Sequence, residues 1–133
     1  MKIGTLGDKM KIIKIETIRI SEHPNLIWVK IHTNEGAIGL GESWFGAEAI
    51  EADIHTRIAP IVLGQDPQKI ETIYSLMRPY VGFFGTGTEM RALSAIDVAI
   101  WDINAQLHNV PLYDLLGGKT RSKIKVYNTC AGP

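Results

Sequence analysis

Cysteine is almost missing from this sequence. Among its 133 residues Cys130 stands alone, so the chain has no internal disulfide and no paired-cysteine metal site of the CxxC type. A protein without disulfides fits a reducing compartment, and the N-terminus lacks the apolar core of a signal peptide. We therefore expect a cytoplasmic protein.

An excess of charge and a long hydrophobic run are missing as well. The 14 Lys and Arg residues balance the 14 Asp and Glu residues, and no basic run is present. Nucleic acids are bound through clustered positive charge, so we expect no nucleic-acid partner. No segment approaches the ~20 consecutive apolar residues that cross a bilayer, so we expect no membrane partner either.

Three segments alternate apolar and polar residues as β-strands do: 11–21, 26–33 and 37–43. The phase of the first segment slips, which predicts a bulge near Thr17. In the third segment we expect Ile38 and Leu40 to face inward. Gly39 and Gly41 then share the opposite face, where another element must pack close to the backbone. The short links between the segments predict an antiparallel meander.

Helices are predicted after the strands. The first begins at Ala47, and Pro60 ends or kinks it. The second has Asp66 as its N-cap and Pro67 as its first residue, and it runs to about Arg78. Strands followed by helices predict an α+β fold, a three-stranded antiparallel meander followed by a helical bundle on one face of the sheet.

The longest helix lies within residues 86–118. Thr86 and Glu89 have the spacing of a capping box, and Asn109 and Pro111 end the helix. One face repeats apolar residues at three- and four-residue steps, and the opposite face is apolar too. Burying four large side chains contributes roughly 10 kcal/mol, so we expect that second face to fit a neighbour that this chain does not supply. The residues of the second face are Leu93, Val98, Ile100 and Trp101.

Two motifs in this region carry a family resemblance. They are Ala-Leu-Ser-Ala-Ile-Asp-Val-Ala-Ile-Trp-Asp at 92–102 and Pro-Leu-Tyr-Asp-Leu-Leu-Gly-Gly at 111–118. Together they resemble the N-terminal signature of the mandelate racemase and muconate lactonizing enzyme family of the enolase superfamily. The resemblance implies that residues 1–118 are an enolase-superfamily N-terminal capping domain. Residues 119–133 are then a linker and the first strand of a (β/α) barrel that is otherwise absent.

The resemblance also implies a chemistry, the abstraction of a proton α to a carboxylate with Mg²⁺ stabilising the resulting enediolate. In this family the metal ligands and the lysine or histidine bases lie on later strands of the barrel. We therefore expect no catalytic residue and no metal ligand within these 133 residues. Mg²⁺ is implied only for a full-length parent enzyme, with a carboxylate-bearing small molecule, such as an acid sugar, as substrate.

Two loops of the family close over the barrel mouth and select the substrate. By position they correspond here to residues 21–25 and 44–47, which implies His23, Trp44 and Phe45 as specificity residues. The end of the first barrel strand also faces the active site of a complete barrel. Three residues are implied at that barrel mouth: Asn128, Thr129 and Cys130.

Other groupings favour ordinary structural roles. Asp97 and Asp102 point about 140° apart on a helix, so they do not chelate one ion. Glu51 and His55 lie one turn apart without a third ligand, which favours an exposed pair over a metal site. Residues 85–88, just before a helix N-terminus, form a third and weaker hypothesis of anion binding.

The sequence thus predicts the capping domain of a Mg²⁺-dependent racemase, cycloisomerase or acid-sugar dehydratase, with the dehydratase favoured on overall similarity. The alternative is a stand-alone binding module, derived from such a cap, that self-associates through its exposed apolar helix face. We expect a homo-oligomer.

Overall fold

The three predicted strands form one antiparallel sheet in the order β1-β2-β3. In the computed structural model, which describes residues 9–78 and 86–127, they span Ile12–Ile18, Leu26–Thr33 and Ile38–Trp44. The alternate residues Ile27, Val29 and Ile31 of β2 are fully buried, as their spacing predicts. The meander is confirmed.

The bulge in β1 lies earlier than predicted. The pairing with β2 shifts between Ile12 and Lys14, not near Thr17. Ile12 and Ile15 are buried, whereas Ile13 between them is 59% exposed. The extra residue at the start of the strand therefore brings Ile12 and Ile15 to the same face, which strict alternation would not do.

The prediction for the faces of β3 is wrong. Ile38 and Leu40 point away from the helices and are 43% and 50% exposed. The inner face belongs to Gly39 and Gly41, because the longest helix lies directly on them. A Cβ atom at either glycine would collide with a backbone carbonyl oxygen of that helix, so the predicted close approach is confirmed.

Among the described residues, six helical segments follow the sheet. They are α1 (Ala47–Asp53), a π-helical segment (Ile54–Ile58), α2 (Ala59–Val62), α3 (Ile70–Met77), α4 (Thr88–His108) and α5 (Leu112–Leu115). Pro60 does not end the first helix, which continues to Val62. The π-helical widening directly before α2 accommodates a residue that has no N–H to donate.

Two predicted helix starts are wrong. Asp66 does not cap α3, because its carboxylate accepts the Gln68 N–H (3.0 Å) in a turn that delays the helix to Ile70. Thr86 does not cap α4 either, because Gly87, with φ of 84°, is the N-cap. This turn places Thr86 outside the helix. The predicted end of α4 is confirmed, with Asn109 in the left-handed conformation at φ of 53°.

Helix α4 lies between two layers, as its two apolar faces predict. The sheet covers one side, and α1, the π-helical segment and α3 cover much of the other. Leu93 and Ile100, two of the four residues expected to await a neighbour, are therefore already buried by this chain. Of the four, Val98, which is 44% exposed, and the half-buried Trp101 are left at least partly uncovered by the described residues, and a neighbour on them stays a prediction.

Arg57, in the π-helical segment, links this segment to α1 and α3. Its guanidinium pairs with both carboxylate oxygens of Asp53, with an Nε–Oδ1 distance of 2.8 Å. It also donates to the carbonyl oxygen of Met77 (2.8 Å), at the end of α3. Both charged side chains are largely shielded from water, at 24% and 17% exposure.

The predicted strand at residues 123–128 is not formed in its described part, 123–127. Ile124 and Val126, expected to face inward, are 73% and 88% exposed. A barrel strand is stabilised by hydrogen bonds to its neighbours, and the only sheet within the described residues is β1-β2-β3. Across those same residues, no helix combines the length and apolar character that a bilayer crossing demands.

Candidate functional site

The meander brings the two predicted specificity loops to the same end of the sheet. In antiparallel strands the end of β1, the start of β2 and the end of β3 lie together. The residue pairs Ile18–Trp28 and Leu26–Trp44 fix this arrangement. We call residues 19–25 the first loop and residues 44–46 the aromatic loop.

Backbone hydrogen bonds fix both loops. Within the first loop the His23 carbonyl accepts the N–H of Leu26 (2.9 Å), which closes a tight turn before β2. Between the loops the Asn25 carbonyl accepts the N–H of Phe45 (2.9 Å). The two loops are therefore one connected unit.

A cleft of about 250 Å³ opens between the loops. The structure thus brings His23 and Trp44 to one cleft, while Phe45 lies beside it. Glu22 and His23 supply a carboxylate and an imidazole, and Trp44 supplies an apolar indole. The lining residues are Glu22, His23, Pro24, Asn25, Leu26 and Trp44.

The aromatic loop exposes two large rings. Trp44 and Phe45 are 57% and 58% exposed, with ring centroids 5.5 Å apart and planes tilted by 47°. Arg91, on α4, donates to the Trp44 carbonyl oxygen and lies 5.7 Å from the centroid of the Phe45 ring. Exposed aromatic surface beside polar groups is suited to binding, because the ring faces pack on apolar parts of a ligand.

Of the carboxylates singled out in the sequence, Asp102 has a structural role. Asp102 Oδ2 accepts the Leu40 N–H (2.9 Å) at the free edge of β3, where Gln106 donates to the Ile38 carbonyl oxygen (2.8 Å). Asp97 is half-buried, and this burial, with the nearby charge of Glu71, raises the pKa of Asp97. The pKa of a further carboxyl, Glu16, is lowered by hydrogen bonds from His32 and Lys14.

A comparison with known protein families decides what this arrangement belongs to. A model described as mandelate racemase / muconate lactonizing enzyme, N-terminal domain, matches residues 8–117. The chain belongs to this family. It is the N-terminal capping domain of enolase-superfamily proteins, and the family resemblance of its α4 motifs is confirmed.

Relatives of this capping domain include acid-sugar enzymes. The D-galactonate dehydratase of Pectobacterium atrosepticum is 38% identical over 125 residues, 92% of this chain and 32% of the relative. An enolase protein from Sargasso Sea environmental sequence has a TM-score of 0.85 at 45% identity, with coverage of 92% of this chain and 33% of that one. An enolase from Pantoea ananatis, solved with bound D-gluconate and Mg, has a TM-score of 0.75 at 37% identity, covering 85% and 28%. The capping domain thus spans about a third of the length of the curated relatives it matches.

The described residues of the capping domain do not fit a Mg²⁺ site. Within residues 9–78 and 86–127, no three His, Cys, Asp or Glu side chains converge as a metal site requires. Thr17 Oγ1 donates to Glu51 (2.8 Å) and lies 2.9 Å from His55 Nε2, so this pair is engaged with β1. Arg19 also contacts Glu51, at 3.0 Å.

The remaining predicted sites of the capping domain lie wholly or partly outside the described residues. The barrel-mouth residues Asn128, Thr129 and Cys130 lie outside the described residues, as does Gly85 of the anion hypothesis. At the start of α4, Glu89 already places a carboxylate in the first turn, where an anion would bind.

Sequence reasoning missed Arg91. One signal pointed to it, since a cation near a helix N-terminus is electrostatically unfavourable and implies a compensating contact. The contact itself depends on how α4 crosses the sheet, which local patterns do not specify.

Proposed function

We propose that this chain is the substrate-capping part of a Mg²⁺-dependent enolase-superfamily enzyme that abstracts a proton α to the carboxylate of an acid sugar. Acid-sugar dehydration is the reaction we favour, because D-galactonate dehydratases and a D-gluconate-bound enolase are among its relatives. The observation that carries the proposal is the cleft shared by the first loop and the aromatic loop. We place the full-length enzyme in the cytoplasm.

The cap supplies recognition in this proposal, and a barrel supplies the metal and the bases. His23 hydrogen-bonds a hydroxyl or carboxylate of the sugar through its imidazole. Trp44 packs its indole against the C–H face of the sugar chain, and Phe45 extends that surface. A cap that closes over the reacting carbons also keeps water away from them.

We further propose where the cap ends. Residues 1–118 form the cap and residues 119–133 form a linker and the first barrel strand, with Asn128, Thr129 and Cys130 at the barrel mouth. The last helix within the described residues, α5, ends at Leu115, and Gly117 and Gly118 follow with positive φ. This turn supports a boundary there.

A chimera tests the proposal. This chain replaces the matching 125 residues of the Pectobacterium atrosepticum D-galactonate dehydratase, and dehydration of a panel of acid sugars is measured. We expect His23→Ala and Trp44→Ala each to change kcat/KM by about tenfold for some acid sugars and to alter their ranking. Ile13→Ala, an exposed apolar residue at the opposite end of the sheet, is the matched control. Values within twofold of the unsubstituted chimera for every sugar would contradict the assigned roles.

The isolated chain provides a second test. Isothermal titration with Mg²⁺ is expected to give no tight stoichiometric site, because too few carboxylates converge among the described residues. A stoichiometric site with micromolar affinity would contradict the division of labour between cap and barrel.

Self-association is the second candidate function, and one observation favours it. Ile38 and Leu40 expose apolar side chains next to each other on the outer face of β3. We expect light scattering after size exclusion to show a homo-oligomer, and Ile38→Lys with Leu40→Lys to dissociate it. Leu63→Lys, at a comparably exposed position elsewhere, is the control. A monomer at high concentration would count against this candidate.

A further inference from the structure

Arg91 occupies an unfavourable position on α4. The helix begins at Thr88, so Arg91 is its fourth residue, near the positive end of the helix dipole. Its side chain is exposed, so space for it to extend into water is available. Arg91 instead folds over a neighbouring loop, so its contacts with that loop must offset the unfavourable interaction of its charge with the helix dipole.

The loop that provides these favourable contacts is the aromatic loop. Arg91 Nη1 donates to the Trp44 carbonyl oxygen, and the guanidinium carbon lies 5.7 Å from the centroid of the Phe45 ring. One planar group thus contacts both aromatic residues, one through its backbone and the other through its ring. Guanidinium suits this double role better than ammonium, because it combines directed donors with a face that stacks.

The aromatic loop needs such support, because its backbone conformation is uncommon. Phe45 has φ of 72° and Gly46 has φ of 81°, both in the left-handed region. A bulky residue adopts that region only where its surroundings hold it. On the opposite side from Arg91, the loop is held by the Phe45 N–H bond to the Asn25 carbonyl (2.9 Å).

We propose that Arg91 is a positioning residue for the specificity cleft. It holds the aromatic loop against the first loop, so that the wall carrying Trp44 is formed before a ligand arrives. The consequence for substrate rests on the proposed function, whereas the positioning rests on the contacts of Arg91 alone. A preformed wall binds more tightly than one that must be ordered on binding.

Hydrogen exchange on the 133-residue chain tests the positioning without any ligand. In Arg91→Ala we expect protection of the Phe45 amide to fall about tenfold, while the Val29 amide in the central strand keeps its protection. Arg91→Lys should lose less of the protection at the Phe45 amide, because the positive charge of the lysine still faces the Phe45 ring. Lys11→Gln, which removes a positive charge at the opposite end of the sheet, should change neither amide. Unchanged protection at Phe45, or an equal loss at both amides, would overturn the inference.

The chimera described above separates this inference from the proposed function. If both hold, Arg91→Ala raises KM for the acid sugar about fivefold with kcat within twofold, and Arg91→Lys recovers part of the loss. Loss of Phe45 protection with unchanged KM would support the positioning and contradict the proposed role of the cleft. A higher KM without loss of protection would contradict the positioning.

Discussion

The inner face of the sheet and its loop end are built in opposite ways. On the inner face, Gly39 and Gly41 let α4 approach so closely that no added atom fits. At the loop end, Trp44 and Phe45 stay more than half exposed and are held by a few polar contacts. Stability is therefore concentrated where α4 meets the sheet, whereas the exposed rings at the loop end contribute little to it.

The largest expected effect breaks the inner face. Gly41→Ala places a methyl group against the Ala95 carbonyl oxygen, and backbone cannot move aside as a flexible side chain does. We expect the free energy of unfolding to fall by about 3 kcal/mol, measured by urea titration. Glu42→Ala, the exposed neighbour, is the control and should change it by less than about 0.5 kcal/mol.

Removing Arg57 should have the next largest effect. Arg57→Ala leaves the largely buried Asp53 without its partner and the Met77 carbonyl without its donor. We expect a loss of about 2 kcal/mol in the free energy of unfolding, below the range for fully buried pairs because some exposure remains. Arg91→Ala provides the contrast, with an expected loss below about 0.5 kcal/mol. Equal losses of unfolding free energy for Arg57→Ala and Arg91→Ala would contradict the distinction between a stabilising helical layer and a loop end that contributes little to stability.

Truncating the aromatic loop should barely affect stability. Trp44 is 57% exposed, so Trp44→Ala exposes little additional apolar surface to water. The expected change in the free energy of unfolding is within about 0.5 kcal/mol, against the several kcal/mol typical of a buried tryptophan. A loss above about 2 kcal/mol in urea titration would show that this loop belongs to the core.

The smallest effect concerns charge on the covered side of α4. Burial raises the pKa of Asp97, so the folded state binds its proton more tightly than the unfolded chain does. The free energy of unfolding therefore falls as pH rises from the ordinary value of 3.8 through the raised pKa. Asp97→Asn should raise the melting temperature by about 1 °C at pH 7, because exposure screens the effect. No gain should remain at pH 3, and a gain of equal size there would rule out ionisation as its cause.

Local patterns in the sequence were sufficient to predict most of the strands and helices and their order. Alternation predicted the buried face of β2, and Asn109 with Pro111 predicted the end of α4, because these signals act within a few residues. The face of β3 could not be predicted from alternation, since Ile38 and Leu40 are more apolar than the glycines that actually face the core. The close packing of α4 determines which face of β3 is buried, and this packing joins residues that are far apart in the sequence.

The candidate site was predicted in part. Family resemblance placed His23 and Trp44 in two loops, and the register of the strands brings those loops to one cleft. Arg91 was missed because its partner lies 47 residues away in sequence. The apolar face of α4 was overestimated as an interface, since α1, the π-helical segment and α3 cover Leu93 and Ile100.

The side chains that α4 lays along the free edge of β3 have a consequence for assembly. Gln106, Asp102 and Arg91 engage, in turn, the Ile38 carbonyl, the Leu40 N–H and the Trp44 carbonyl. Three outward backbone groups of this edge strand are thus already bonded to side chains of α4. A strand from another molecule would have to displace these side chains before it could pair along β3, which makes this edge a poorer template for sheet extension.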